Sequence, residues 1–170
     1  MPRSFDLSAD YQGSVERVHG AFTDEQYWLA RLAESGADAA TLDTMTVDDD
    51  GAVTVVTTQR LRTDRLPAMV TQFHPRDLEI VRNETWTPIS DGVAHAEVTG
   101  AVPGAPVTLA GTAALAPTNG GSRLTFAATV TVNIPLVGGK LENFIGGKLA
   151  ELVAAEQRFT TVWISTVSRG

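Results

Sequence analysis

An arginine and a glutamate two positions apart are the residues of this chain best placed to do chemistry. In the run 78–86, Leu78, Ile80, Arg82, Glu84 and Trp86 share one parity, while Glu79, Val81, Asn83 and Thr85 share the other. If the apolar members face a core, Arg82 and Glu84 enter a low-dielectric space, where an unpaired charge is costly. Mutual pairing or contact with a ligand then follows. The alternative is a strand that bulges or emerges at a rim, leaving both charges solvated.

The other chemical candidates are weaker. His19, His74 and His95 are far apart and none lies in an H-x-x-x-H pair, so no metal site is expected. His95 sits between Ala94 and Ala96, and a lone histidine is more often a hydrogen-bonded structural group than an acid or base. The run Asp48-Asp49-Asp50-Gly51 lacks the alternating ligands and the distal Glu of a calcium loop, and reads as a solvated turn. Gly146-Gly147-Lys148 resembles the end of a phosphate-binding loop, but Glu142 stands where its first Gly is required and Leu149 where Ser or Thr is required. No nucleotide or other cofactor is expected. The doublets Gly138-Gly139 and Gly146-Gly147, each followed by Lys-Leu, have two readings: close packing of a helix on a sheet, or a flexible helix end that opens a cavity.

The elements that must hold these residues follow from hydrophobic period. Phe5, Leu7, Ala9 and Tyr11 alternate with polar residues, as in a half-buried strand. Ser14 can cap a short helix carrying Val15, Val18, Ala21 and Phe22. Thr23 and Gln26 have capping-box spacing for a second helix, with Trp28, Leu29 and Leu32 as its apolar set. From 39 to 133, β-branched runs predict six strands, at about 40–47, 52–62, 78–87, 93–102, 107–116 and 122–133. Hairpin-length links join them, except for 63–77, whose Leu66, Met69, Val70 and Phe73 suggest a loop with a helical turn. After Pro135 the period becomes 3.6, with Leu141, Phe144, Ile145, Leu149, Leu152, Val153, Phe159, Val162 and Trp163 in one stripe. Lys140, Glu142, Lys148, Glu151 and Glu156 are assigned to the solvent side of that long helix.

A chain of 170 residues with a hydrophobic fraction of 43% suits a single globular domain spanning 1–170. There is no cysteine, which excludes disulfides, thiolate-bound metals and a Cys nucleophile. A net charge of −7 disfavours phosphate backbones, so nucleic acid is not an expected partner. No segment has the ~20 apolar residues needed to cross a bilayer, and no secretory h-region is visible, so a cytoplasmic protein is expected, with transient membrane contact left open.

The order strand, two helices, six strands, long helix leaves a curved antiparallel meander that wraps the last helix. Asp24-Glu25-Gln26-Tyr27-Trp28, Glu84-Thr85-Trp86 and Pro135-Leu136-Val137-Gly138-Gly139-Lys140-Leu141-Glu142, together with Glu156, Phe159 and Trp163, resemble an actinobacterial domain of unknown function, family 2505. That family falls within the START-like, pollen-allergen-like SRPBCC superfamily, and the resemblance runs along nearly the whole chain. It implies an α+β helix-grip fold with a cavity between sheet and C-terminal helix, used in the superfamily for lipids, sterols, polyketides or hormones and in a minority of members for cyclase or dehydratase chemistry.

The expected function is therefore binding or carriage of a small hydrophobic ligand, with Arg82 and Glu84 orienting a polar end. Trp86, Leu124, Phe126, Leu141, Phe144, Ile145, Gln59 and His95 complete the expected ligand-binding set. One alternative is a cyclase or dehydratase in which Arg82, Glu84 and His95 polarise a carbonyl and move a proton. Another is a filled core serving protein interaction. Small residues on the inner parity of 107–115, Gly111 and Ala113, are expected to leave volume.

Overall fold

The computed structural model describes residues 2–167. The elements are β1 (Arg3–Tyr11), α1 (Val15–Phe22), α2 (Glu25–Ala33), β2 (Ala39–Val47), β3 (Val53–Leu61), a 3₁₀ turn (Thr63–Arg65), α3 (Ala68–Thr71), β4 (Leu78–Trp86), β5 (Ala94–Ala101), β6 (Val107–Thr118), β7 (Gly121–Val132) and α4 (Gly138–Val167). The seven strands form one antiparallel sheet in the order β1-β7-β6-β5-β4-β3-β2. From β2 to β7 successive strands pair, through short turns except for the 62–77 connection that carries the 3₁₀ turn and α3, and β1 closes the far edge by pairing with β7, Leu7 opposite Phe126. The curved sheet and α4 make the helix-grip arrangement expected from the order of elements.

Local chemistry explains the starts of the two short helices. Ser14 caps α1 by accepting the Arg17 N–H at 3.2 Å. For α2 the cap is Asp24, whose Oδ1 accepts the Gln26 N–H at 2.9 Å. The expected cap, Thr23, instead ends α1, its hydroxyl donating to the Gly20 carbonyl at 2.7 Å. The two helices are so close in sequence that adjacent residues serve a C-terminus and an N-terminus.

On each strand one parity turns inward. Val53, Val55 and Thr57 of β3, Glu84 and Trp86 of β4, Ala94, Ala96 and Val98 of β5, and Phe126, Ala128, Val130 and Val132 of β7 are buried. α2 buries Tyr27, Trp28 and Arg31, whereas Leu29, expected inside, is exposed. On α4, Leu141, Thr160 and Ile164 are buried and Phe144, Leu152 and Phe159 half-buried, but Val162, placed in the stripe by its spacing, is 65% exposed. Two glutamates assigned to the solvent side of α4 lie inside. Glu142 is fully buried, its Oε2 accepting the Val132 N–H at 2.9 Å where β7 runs out of sheet partners. Glu156 belongs to the site described below.

The two members of the second glycine doublet differ in packing. A methyl group at Gly146 would overlap the Phe5 ring on β1, so this glycine lets α4 lie directly on the sheet edge, while Gly147 faces open space. Gly111 does not leave a void, because the Phe126 ring lies over it, about 3.1 Å from where a β-carbon would sit.

Candidate functional site

Between the concave face of the sheet and α4 there is a space of about 290 Å³. Its walls are Leu78, Ile80 and Trp86 of β4, Val98 and Gly100 of β5, Leu109 and Ala113 of β6, Leu124, Phe126 and Val130 of β7, and the α4 face from Leu141 to Val153. At one end stand Val70, Phe73 and His74 of the α3 loop, Ala105 and Pro106 of the β5–β6 turn, and Ile134 of the β7–α4 turn. These three connections belong together because Ala101 pairs with Thr108, Val107 with Val132 and Leu61 with Leu78, which brings the same ends of β3 to β7 into line. At the other end stand Arg82, Glu84 and Glu156.

Those three charges are part of a four-membered cluster that the sequence reading saw only in half. Arg82 of β4 donates from Nη1 to Glu156 Oε2 of α4 at 2.8 Å and from Nη2 to Glu84 Oε2 at 3.1 Å. Arg31 of α2 reaches Glu156 Oε1 at 2.5 Å and Glu84 Oε2 at 3.8 Å. Arg31 also lies over the Trp28 ring, 4.6 Å from its centroid, and donates to the Tyr27 hydroxyl at 3.3 Å. The Thr160 hydroxyl donates to the Glu156 carbonyl at 2.7 Å, so its oxygen accepts from Tyr27 at 2.6 Å. A relay of hydrogen bonds thus fixes Arg31 and Glu156 from both helices. The four charged side chains are between 9% and 21% exposed, and two guanidiniums balance two carboxylates.

The electrostatics follow from this balance. Burial would raise the Glu156 carboxyl, yet the guanidiniums of Arg31 and Arg82 outweigh it and hold the group at about 2. Burial opposes the charge of both arginines, and the facing carboxylates overcome it, raising Arg31 well above and Arg82 above the ordinary arginine range. Tyr27 is raised, chiefly by burial. Arg31, Arg82 and Glu156 are therefore held ionised near neutral pH, and with Glu84 contacted by both guanidiniums the cluster forms an ionic lattice.

Arg82, Glu84, Leu152 and Glu156 also face a second space, of about 60 Å³, lined by Trp28, Arg31, Ser35, Thr57, Gln59 and Phe159. The ionic lattice thus borders both an apolar space and a small chamber of mixed lining, with room for water. Of the residues singled out from the sequence, Arg82, Glu84, Trp86, Leu124, Phe126, Leu141, Phe144 and Ile145 line the larger space. Gln59 lines the smaller chamber. His95 is exposed on the convex face, whereas its neighbours Ala94 and Ala96, of the opposite parity, are buried on the concave one. The Arg82, Glu84, His95 trio required for cyclase or dehydratase chemistry is therefore not assembled. Among the described residues no group of three or more His, Cys, Asp or Glu could hold a metal ion.

Reading polarity alone missed Arg31 and Glu156. A positional signal for both existed: Arg31 is four residues from Tyr27 and three from Trp28, and Glu156 lies four after Leu152 and three before Phe159, on the buried stripes.

A family model described as "Protein of unknown function (DUF2505)" matches residues 6–164. The uncharacterized protein Rv0481c of Mycobacterium tuberculosis is 53% identical over 171 residues, covering 97% of this chain and 98% of that protein. Among solved structures, TTHA0849 of Thermus thermophilus superposes with a TM-score of 0.61 at 14% identity, covering 99% of each chain. Ara h 8.0201 gives 0.56 at 9% identity over 98% of this chain and 99% of that one. The di-domain ARO/CYC StfQ from the steffimycin biosynthetic pathway gives 0.62 at 13% identity, covering 100% of this chain and 53% of that one. At such identities the likeness concerns the fold alone, which is the helix-grip fold of START-like proteins. No helix among the described residues is long and apolar enough to cross a membrane.

Proposed function

The chain belongs to the DUF2505 family, and we propose that it binds or carries a small apolar molecule, of lipid or polyketide type, between its sheet and α4, as a cytoplasmic protein without covalent catalysis. The observation that carries this reading is the space of about 290 Å³, apolar along its walls and ended by a charged partition. Its size is near the lower end of ligand pockets, about 300–1,000 Å³, and an apolar lining with a few placed polar groups is their usual chemistry. StfQ and Ara h 8.0201 share the fold and fix no ligand for this chain.

The test is displacement of Nile red from the purified protein, paired with native mass spectrometry of gently purified material and extraction of any adduct. Saturable fluorescence that Val98→Phe abolishes in a folded variant is the expected result, because Val98 lines the space and its enlargement fills it. Absence of both an adduct and saturable dye binding would overturn the reading.

A further inference from the structure

Resting on the carriage reading, we propose that the site selects an uncharged ligand end that can donate a hydrogen bond, a hydroxyl, and rejects both carboxylates and ammonium ions. Arg82 alone invites the opposite conclusion, since a guanidinium at the end of an apolar cavity is the ordinary anchor for a carboxylate. Here that guanidinium is already committed. Nη1 and Nη2 are engaged by Glu156 and Glu84 at 2.8 and 3.1 Å, and Arg31 closes the lattice from α2 at 2.5 Å from Glu156.

Two positive and two negative side chains leave no net charge to neutralise a ligand ion. A carboxylate arriving at Arg82 would face Glu84 and Glu156 as well as the guanidinium, and could bind only by displacing one of them. An ammonium would face Arg82 in the same way. Either ion gives up its hydration on leaving water and finds no uncommitted counter-charge at the partition. A neutral oxygen loses far less hydration. Both arginine contacts of Glu84 run through Oε2, which leaves Oε1 to accept a hydroxyl proton.

The remaining ionisable wall residues lie elsewhere. His74 stands with the α3 loop at the far end. Lys148, on α4, is 61% exposed and paired with Glu151 at 3.3 Å. Neither belongs to the lattice, so the choice of head group at the inner end rests on Arg31, Arg82, Glu84 and Glu156.

The experiment compares decanol, decanoate and decylammonium as competitors of Nile red at neutral pH, in the wild type and in Glu84→Gln. The two ions share one chain, so their ratio removes the contribution of chain burial. In the wild type the ions should compete within about threefold of each other, and each at least tenfold more weakly than decanol. Glu84→Gln makes the lattice net positive and should improve decanoate at least tenfold relative to decylammonium. Glu156→Gln makes the same change from α4, and serves if Glu84→Gln does not fold. Decanoate competing tenfold better than decylammonium in the wild type, or an unchanged ratio in the folded variant, overturns the proposal. Failure of Nile red and decanol to bind at all defeats instead the carriage reading on which it rests.

Discussion

One groove between sheet and helix has two unlike ends. Where α1 and α2 cover it, Phe22, Tyr27, Trp28, Trp86, Phe159 and Trp163 interlock with ring centroids 4.9–6.2 Å apart, and the Trp28 indole donates to the Phe22 carbonyl at 2.8 Å. Where only loops cover it, the same sheet and the same α4 leave about 290 Å³. The sheet contributes small residues at both ends, Ala94 toward one and Gly100 toward the other. What differs is the donor of large side chains. Two helices inserted after β1 project rings into one end, and the connections at the other end place Val70, Pro106 and Ile134 at the border of the space without filling it. The ionic lattice stands at the junction and keeps the two regions distinct.

The largest effect expected from breaking this contrast is at the packed end. Trp28→Ala removes a ring from a closed cluster and strands the Phe22 carbonyl, and should cost about 3–5 kcal/mol. Phe144→Ala, in the wall of the space, should cost less than half as much, because atoms around it already lack neighbours on one side. Denaturant unfolding of both variants checks this, and equal losses would mean that the two ends are packed alike.

Next comes the junction. Glu156 has a folded pKa of about 2 against an ordinary 4.5, so it contributes stability that is fully present above about pH 4.5 and is lost as pH falls toward 2. A shift of that size corresponds to roughly 3 kcal/mol as an upper figure. Glu156→Gln should be less stable at pH 7 and should show a flatter loss between pH 4.5 and 2. A wild-type and variant difference that does not change with pH in that window would contradict the lattice.

The smallest effects separate the two readings of the second glycine doublet. Gly146→Ala should destabilise by about 1–3 kcal/mol through overlap with Phe5, whereas Gly147→Ala should be neutral or stabilise by up to about 1 kcal/mol. Melting curves decide. A stable Gly146→Ala with slowed Nile red exchange would instead favour a gate at this turn of α4.

The parity of the strands was legible because it is local. Leu124, Phe126, Ala128, Val130 and Val132 turn inward as their spacing requires, whereas His95, expected among the ligand-binding residues, lies outside because it alternates with the buried Ala94 and Ala96. The wall residues of the space followed from the same rule, with Leu141, Phe144 and Ile145 added by the stripe of α4. Gly111 misled because its spacing told nothing of which ring would lie over it.

What the sequence by itself determined is the order and period of the elements, hence a meander wrapped on a long helix, with Arg82 and Glu84 on the same strand parity as Leu78, Ile80 and Trp86. Only the tertiary structure decided what those two charges meet. Their partners, Arg31 and Glu156, come from α2 and α4, and whether a charged side chain on a helix faces water or core depends on the rotation at which that helix docks. Period locates a stripe to within a residue or two, but a buried ion can sit inside the stripe only when its counter-charge arrives from another element. That condition is non-local, and it makes Arg82, expected with Glu84 to orient a polar ligand end, one corner of a four-membered ionic cluster.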